Sequence, residues 1–205
     1  LTALDNTILE ATKLLGKQAG LTLDTITRNI INAGTNVTYA DKIGSDGAET
    51  AVTTRAGLDT TAVLTVKVVQ KVVAKLKGQN APKINGYYVA IIHPYNAYQL
   101  MQDKEWKYPH QYVDTKNIYE GEIGMIAGVR FVESTEAKVF RNEAGTHAVF
   151  STLFIGDGAY GVTEITGGGL QTIVKQKGSA GTADPLDQRS SVGWKAIKTA
   201  EMLVQ

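Results

Sequence analysis

Apolar side chains recur at steps of three and four from the start of the chain. Leu4, Ile8, Ala11, Leu15, Ala19, Leu23, Ile26 and Ile30, with Thr22 among them, fall on one face of a helix. Asn32-Ala33-Gly34 closes that stretch with a C-terminal stop signal. Gly16 and Gly20 lie inside it, each costing about 1 kcal/mol relative to alanine, so a break there is compatible with the pattern. Unbroken, about 32 residues at ~1.5 Å each make a rod of about 48 Å. Residues 35–62 are rich in Thr, Gly, Ala and Asp and poor in large apolar side chains, which predicts a surface excursion that adds little core. From Val63 to Lys77 the β-branched composition favours strand, yet Val68, Val69, Val72, Val73 and Leu76 keep helical spacing while Lys67, Lys71 and Lys75 share the opposite face. The periodicity predicts an amphipathic helix with a solvated lysine row.

Asn85-Gly86 is a turn signal, and the apolar run from Tyr87 to Ile92 reads as a buried strand. His93-Pro94 then turns the chain into a short helix to about Asp103, with Tyr95, Tyr98, Leu100 and Met101 as its apolar positions. His93 reads as a hydrogen-bonded corner residue. A polar, aromatic stretch runs from Trp106 to Tyr119, and glycines then punctuate the apolar segment from Gly121 to Gly128. A strand is expected over Val129–Val132. Short apolar runs at Ala148–Ile155, Gly161–Ile165, Leu170–Lys175 and Ser191–Val204, separated by glycine-rich turns, predict β-structure for the last third. Helix first, mixed middle and strands last make an α+β chain.

Composition narrows the function classes. The 205 residues suit one domain or two lobes, and 43% apolar with 20% charged residues is globular. A formal charge of +1 supplies no global field for nucleic acid or membrane, so a charged partner must meet a local patch. The absence of cysteine removes disulfides, thiolate zinc sites, iron–sulfur clusters and cysteine nucleophiles. His93, His110 and His147 are never at i, i+4 spacing, which argues against a multi-histidine metal centre. No apolar run reaches the ~18 residues needed to cross a bilayer, and no secretory signal is evident. Because Leu1 already lies in a periodic pattern, the chain reads as a fragment of a longer product.

Motifs for catalysis are missing or fail on context. Gly156-Asp157-Gly158-Ala159-Tyr160-Gly161 is a literal G-x-G-x-x-G after an apolar run, but a dinucleotide site needs a helix next. The strand-like Val162-Thr163-Glu164-Ile165-Thr166 and three glycines follow instead. The carboxylate pairs Glu120/Glu122 and Glu133/Glu136 read as surface groups. No catalytic, cofactor-binding or metal-binding residue is therefore assigned. Asp184-Pro185-Leu186-Asp187-Gln188-Arg189 leads into a stretch where Val192, Trp194 and Ala196 alternate with Ser191, Gly193 and Lys195. A long edge strand with an arginine beside it reads either as an interaction surface or as an ordinary hairpin.

Several phrases, taken in order, resemble the major capsid proteins of tailed bacteriophages, and within them the branch named after coliphage N-four. They are Tyr88-Val89-Ala90-Ile91-Ile92-His93-Pro94, Gly121-Glu122-Ile123-Gly124, Gly128-Val129-Arg130-Phe131-Val132-Glu133-Ser134 and Gly158-Ala159-Tyr160-Gly161-Val162. Gly168-Gly169-Leu170, Ile173-Val174-Lys175-Gln176, Asp184-Pro185-Leu186, Gln188-Arg189 and Val192-Gly193-Trp194-Lys195 extend the likeness, as do Glu10-Ala11-Thr12 and the run Leu15 to Asp24.

The resemblance implies a Hong Kong 97-type capsid fold: a long spine helix, a central mixed α/β axial domain and a peripheral β-hairpin. Laid on this chain it gives residues 1–35 as spine helix, 36–166 as axial domain and 167–205 as the return strands of the peripheral domain. It implies a structural, non-enzymatic subunit that assembles with itself as pentamers and hexamers into the icosahedral head of a phage or prophage, without cofactor, membrane or small-molecule substrate. Scaffolding and portal proteins are the implied partners, packaged double-stranded DNA is bound non-specifically, and assembly takes place in the bacterial cytoplasm. Gln188, Arg189, Trp194 and Lys195 are the candidate assembly or packing residues, with Trp194 expected between the hairpin and the spine helix. The family's N-terminal arm and extended loop have no counterpart before Leu1, and 41–60 and 107–118 match its pattern poorly. Two rival readings are an encapsulin-like compartment shell and a nucleotide-binding enzyme using Gly156 to Gly161, the latter requiring a helix after Gly161.

Overall fold

The computed structural model describes residues 2–110, 122–141, 147–163, 167–179 and 181–203. In chain order the elements are α1 (Thr2–Ile31), β1 (Lys42–Ile43), β2 (Glu49–Thr50), α2 (Val66–Gly78), β3 (Tyr88–Ile92), α3 (Pro94–Gln102) and α4 (Lys104–His110). They continue with β4 (Glu122–Ile126), β5 (Val129–Glu133), β6 (Val139–Arg141), β7 (Ala148–Phe150), β8 (Leu153–Ile155), β9 (Tyr160–Thr163), β10 (Gln171–Lys175), β11 (Ser191–Lys195) and β12 (Thr199–Met202). The chain divides into two compact units, Leu1–Ile31 with Tyr160–Glu201, and Asn32–Ala159 with Met202–Gln205.

The second unit is built on a four-stranded sheet in the order β4-β5-β3-β8, with β3 and β5 parallel and the outer pairs antiparallel. Alternation along β3 buries Tyr88, Ala90 and Ile92, and β5 buries Val129 and Phe131. Against that face pack Val66, Val69 and Val73 of α2, Ala97 and Leu100 of α3, and Trp106 of α4. Trp106 and Phe154 both meet the Phe131 ring edge-on, at centroid separations of 5.5 and 6.2 Å. Asn85-Gly86 makes the tight turn into β3, with φ of 51° and 92° and reciprocal backbone hydrogen bonds between Ile84 and Tyr87.

The first unit pairs β10 with β11 as an antiparallel ribbon, Thr172 opposite Trp194 and Val174 opposite Val192, and packs β11 along α1. A second ribbon joins β9 to β12. Helix α1 runs unbroken through Gly16 and Gly20, so its 30 residues extend about 45 Å. Thr12, Thr22 and Thr27 each donate a side-chain hydrogen bond to the carbonyl four residues earlier.

Four local expectations need correction. Tyr95 and Tyr98 do not face the core: they are 67% and 62% exposed, and Met101 is also at the surface, while α3 buries Ala97 and Leu100. Bulk misled the reading, because the buried stripe is made of a small residue and one leucine. Residues 104–110 form the additional helix α4, started by Asp103, whose Oδ1 accepts from the Glu105 amide at 3.0 Å while its Oδ2 accepts from Val66 at 2.9 Å. Residues 122–126 form a strand whose turn into β5 is hidden in the sequence because Ala127, at φ 53°, takes a position usually given to Asn or Gly. The apolar run Ala148–Ile155 is two strands in different sheets, parted at Ser151, whose amide donates to the Lys138 carbonyl. The excursion 35–62 carries the short β1–β2 hairpin and a single 3-10 turn at Arg55–Gly57.

Candidate assembly surface

The surface of the first unit follows from how little of its apolar content is covered. Among the described residues of α1 only Ala19 is buried, although Ile8, Ala11, Leu15 and Leu23 line the predicted face half-covered. Leu9, Leu14 and Leu21 lie off that face and are exposed, Leu14 by 70%. The ribbon repeats the pattern: all five residues of β10 are exposed, Ile173 and Val174 among them. Leu186 and Ile197, in the connections around β11, are 73% and 63% exposed. A cleft of about 310 Å³ opens in the same unit between Leu23, Val162, the Gly168-Gly169-Leu170 turn and Ile197. Uncovered apolar side chains thus recur on both the helix and the ribbon of this unit, and extensive apolar exposure of this kind is a feature of interaction sites.

The four residues singled out from sequence sit on this ribbon or just before it. Gln188 and Arg189 lie exposed in the connection from β10 to β11. The Arg189 amide donates to Oδ2 of buried Asp184 at 2.6 Å, and the Asp187 amide donates to the Asp184 carbonyl, so Asp184 organises the connection. Trp194 is half-buried in β11, the strand that lies along α1. Lys195 ends the strand, exposed, opposite Gln171. Strand alternation puts Trp194 and Val192 on one face of the ribbon and Lys195 and Ser191 on the other. Leu186 and Ile197 escaped the sequence reading because they sit in connections rich in turn residues, and Leu9, Leu14 and Leu21 because they lie off the helix's main stripe. Their signal was an apolar side chain where turn chemistry predicts a polar one.

In the second unit the lysine row of α2 is not simply solvated. Lys67 pairs with Glu49, and Lys71 lies 3.2 Å from Asp41, both carboxylates coming from the excursion. Hydrogen bonding to Glu49, with its charge, holds the Lys67 ammonium above the usual lysine range. Lys42 pairs with Asp59 at 2.8 Å, and that hydrogen bond, helped by the Thr61 hydroxyl and amide, holds Asp59 well below the usual carboxylate range. Asp59 therefore stays charged through mild acid, and this pair is lost only as pH falls through that depressed value.

The catalytic alternatives find no geometry among the described residues. Strand β9, not a helix, carries Gly161, which removes the dinucleotide reading. Gly156 is required for packing instead: a Cβ there would stand 2.8 Å from the Pro82 carbonyl oxygen. His93 caps α3, its Nδ1 accepting from the Tyr95 amide at 3.2 Å, and its ring stacks near Tyr95 and Phe150. Glu133 is exposed at the end of β5, and Glu120 lies outside the described residues. No three metal-ligating side chains cluster, and no helix is long and apolar enough to cross a membrane, among the described residues.

A family model of phage capsid proteins matches residues 5–181. Among solved structures, the capsid of Ralstonia phage GP4 superposes with a TM-score of 0.58 at 15% identity, over 92% of this chain and 60% of that one. The capsid of the cyanophage P-SCSP1u superposes with a TM-score of 0.61, again at 15% identity, over 95% of this chain and 62% of that one. The chain thus has the fold of tailed-phage capsid proteins, the Hong Kong 97-type architecture expected above, and spans about three fifths of the length of these two chains. No curated relative matches it in sequence.

Proposed function

This chain belongs to the phage capsid protein family, and from that premise we propose that it is the shell-forming part of a tailed phage's major capsid protein, closest in kind to the N-four-type branch. The observation that carries the proposal is the first unit's uncovered apolar surface. A helix about 45 Å long with only Ala19 buried among its described residues, beside a ribbon that exposes Ile173 and Val174, is suited to burying its surface against neighbouring subunits. Residues 1–35 serve as the spine helix, 36–166 as the axial domain and 167–205 as the return strands of the peripheral domain.

In this reading the chain performs no catalysis. Copies associate as pentamers and hexamers under closed symmetry, with scaffolding and portal proteins as assembly partners, in the host cytoplasm. The finished head encloses double-stranded DNA, held without sequence preference. Trp194 locks the ribbon to α1, and Gln188, Arg189 and Lys195 face neighbouring copies. Electron microscopy of the gene product that contains this chain tests the reading. Closed hollow shells are expected, and a monodisperse small particle in the presence of its scaffolding protein would overturn it.

A further inference from the structure

Residues 32–65 form a long segment in which no side chain is buried, between a helix and a core that are both well defined. The segment has its own internal scaffold. Lys42 is paired with Asp59, the Asp59 carboxylate takes both the amide and hydroxyl of Thr61, and the Asp46 carboxylate accepts from Ala48 inside the β1–β2 hairpin. Its attachments to α2 are of another kind: Glu49 on Lys67 and Asp41 on Lys71, with Asn36 donating to Gln79 just past the helix's end, while the Arg55 guanidinium lies 3.9 Å over the Phe140 ring of β6 as a further charge-based contact. Where the segment crosses α2, a gap of about 10 Å³ remains between Asp41, Ile43, Glu49, Thr65, Lys67 and Val68. That is room for about one water.

From this contrast we propose that residues 38–61 act as a strap, stapled internally and latched to the lysine row of α2 by ion pairs, which lifts from the helix as a unit when ionic strength rises. The latch weakens because solvent-exposed pairs are screened within a Debye length of about 10 Å at 0.1 M salt, whereas apolar packing is not. The core beneath is unaffected, since Val69 and Val73 are held by the sheet. This device goes beyond the shell-forming role and does not depend on it: the subunit has one element that can change position without unfolding. Local opening of this sort is drawn from the least buried part of a fold.

The absence of cysteine in the chain gives a clean test. Val68 is buried and lines the gap under the strap, while Val69, next to it, points into the core. Val68→Cys and Val69→Cys variants of the 205-residue chain are labelled with a neutral maleimide from about 0.05 to about 0.5 M sodium chloride. Labelling at position 68 is expected to speed up about fivefold with salt, and labelling at 69 to stay slow. Lys67→Glu should give the fast rate at low salt, and combining it with Glu49→Lys should restore the slow rate. A salt-independent rate at 68, a parallel rise at 69, or a failure of the double exchange to restore protection would overturn the strap. None of these outcomes bears on whether shells form.

Discussion

The two units differ in what they hide. The sheet unit fully buries Tyr88, Phe131, Ile92, Leu100, Val66, Val69 and Val129, whereas among the described residues of the helix-and-ribbon unit the only buried apolar side chains are Ala19 and Ala200. Full burial of a large apolar side chain stabilises by about 1.5–3 kcal/mol, so the sheet unit carries its own stabilisation. The helix-and-ribbon unit instead leaves leucines and isoleucines for another surface to cover. Under the proposed shell role, one part of the subunit is finished alone and the other is finished by association.

The sharpest way to break the comparison is at the centre of the sheet. Phe131 sits between Trp106 and Phe154 with no exposure, so Phe131→Ala should cost about 3–5 kcal/mol in a denaturant titration of the isolated chain. A loss under about 1 kcal/mol would mean that the sheet core is not the stabilising element. Next in size is Asp103→Ala. One carboxylate caps α4 through Glu105 and also holds the Val66 amide at the start of α2, so two helix starts lose an acceptor together. At about 1 kcal/mol per cap the cost is about 2 kcal/mol, and Asp103→Asn, which keeps an oxygen acceptor, should recover a good part of it.

How far these features were legible in the sequence follows from their range. The helices of α1 and α2, the Asn85-Gly86 turn and the buried face of β3 are local periodicities, and each is present where the pattern puts it. Asp103 was not legible as a double cap, because its second partner lies 37 residues away. The lysine row is visible in the sequence, but Asp41 and Glu49 are 30 and 18 residues from the lysines they meet, and only the fold brings them there. Aromatic bulk does not mark the buried face of α3: Tyr95 and Tyr98 are exposed, and Ala97 and Leu100 are its buried positions. The proposed assembly surface is legible only through family resemblance: an exposed Leu14 and a buried Leu100 look alike until something packs on one of them.

Trp194→Ala probes the boundary between the two behaviours. The ring is half-covered, so the isolated chain should lose about 1–2 kcal/mol, less than at Phe131. In thermal melts followed by near-ultraviolet dichroism, a loss equal to that of Phe131→Ala would give the ribbon unit a core of its own and erase the contrast.

The smallest stability effect should come with the largest effect on assembly. Leu14 and Leu21 are seven residues apart, two turns along α1, and both are more than half exposed. Replacing both with glutamine keeps helix propensity nearly unchanged and removes apolar side chains that already face solvent, so the isolated chain should change by under about 0.5 kcal/mol. In the gene product that contains this chain, the same pair of substitutions should leave soluble subunits in place of closed shells, read by sedimentation and electron microscopy. If α1 instead stands free in the shell, the variant would assemble as well as its parent, and the exposed leucines would have to be assigned to something other than the neighbouring subunit.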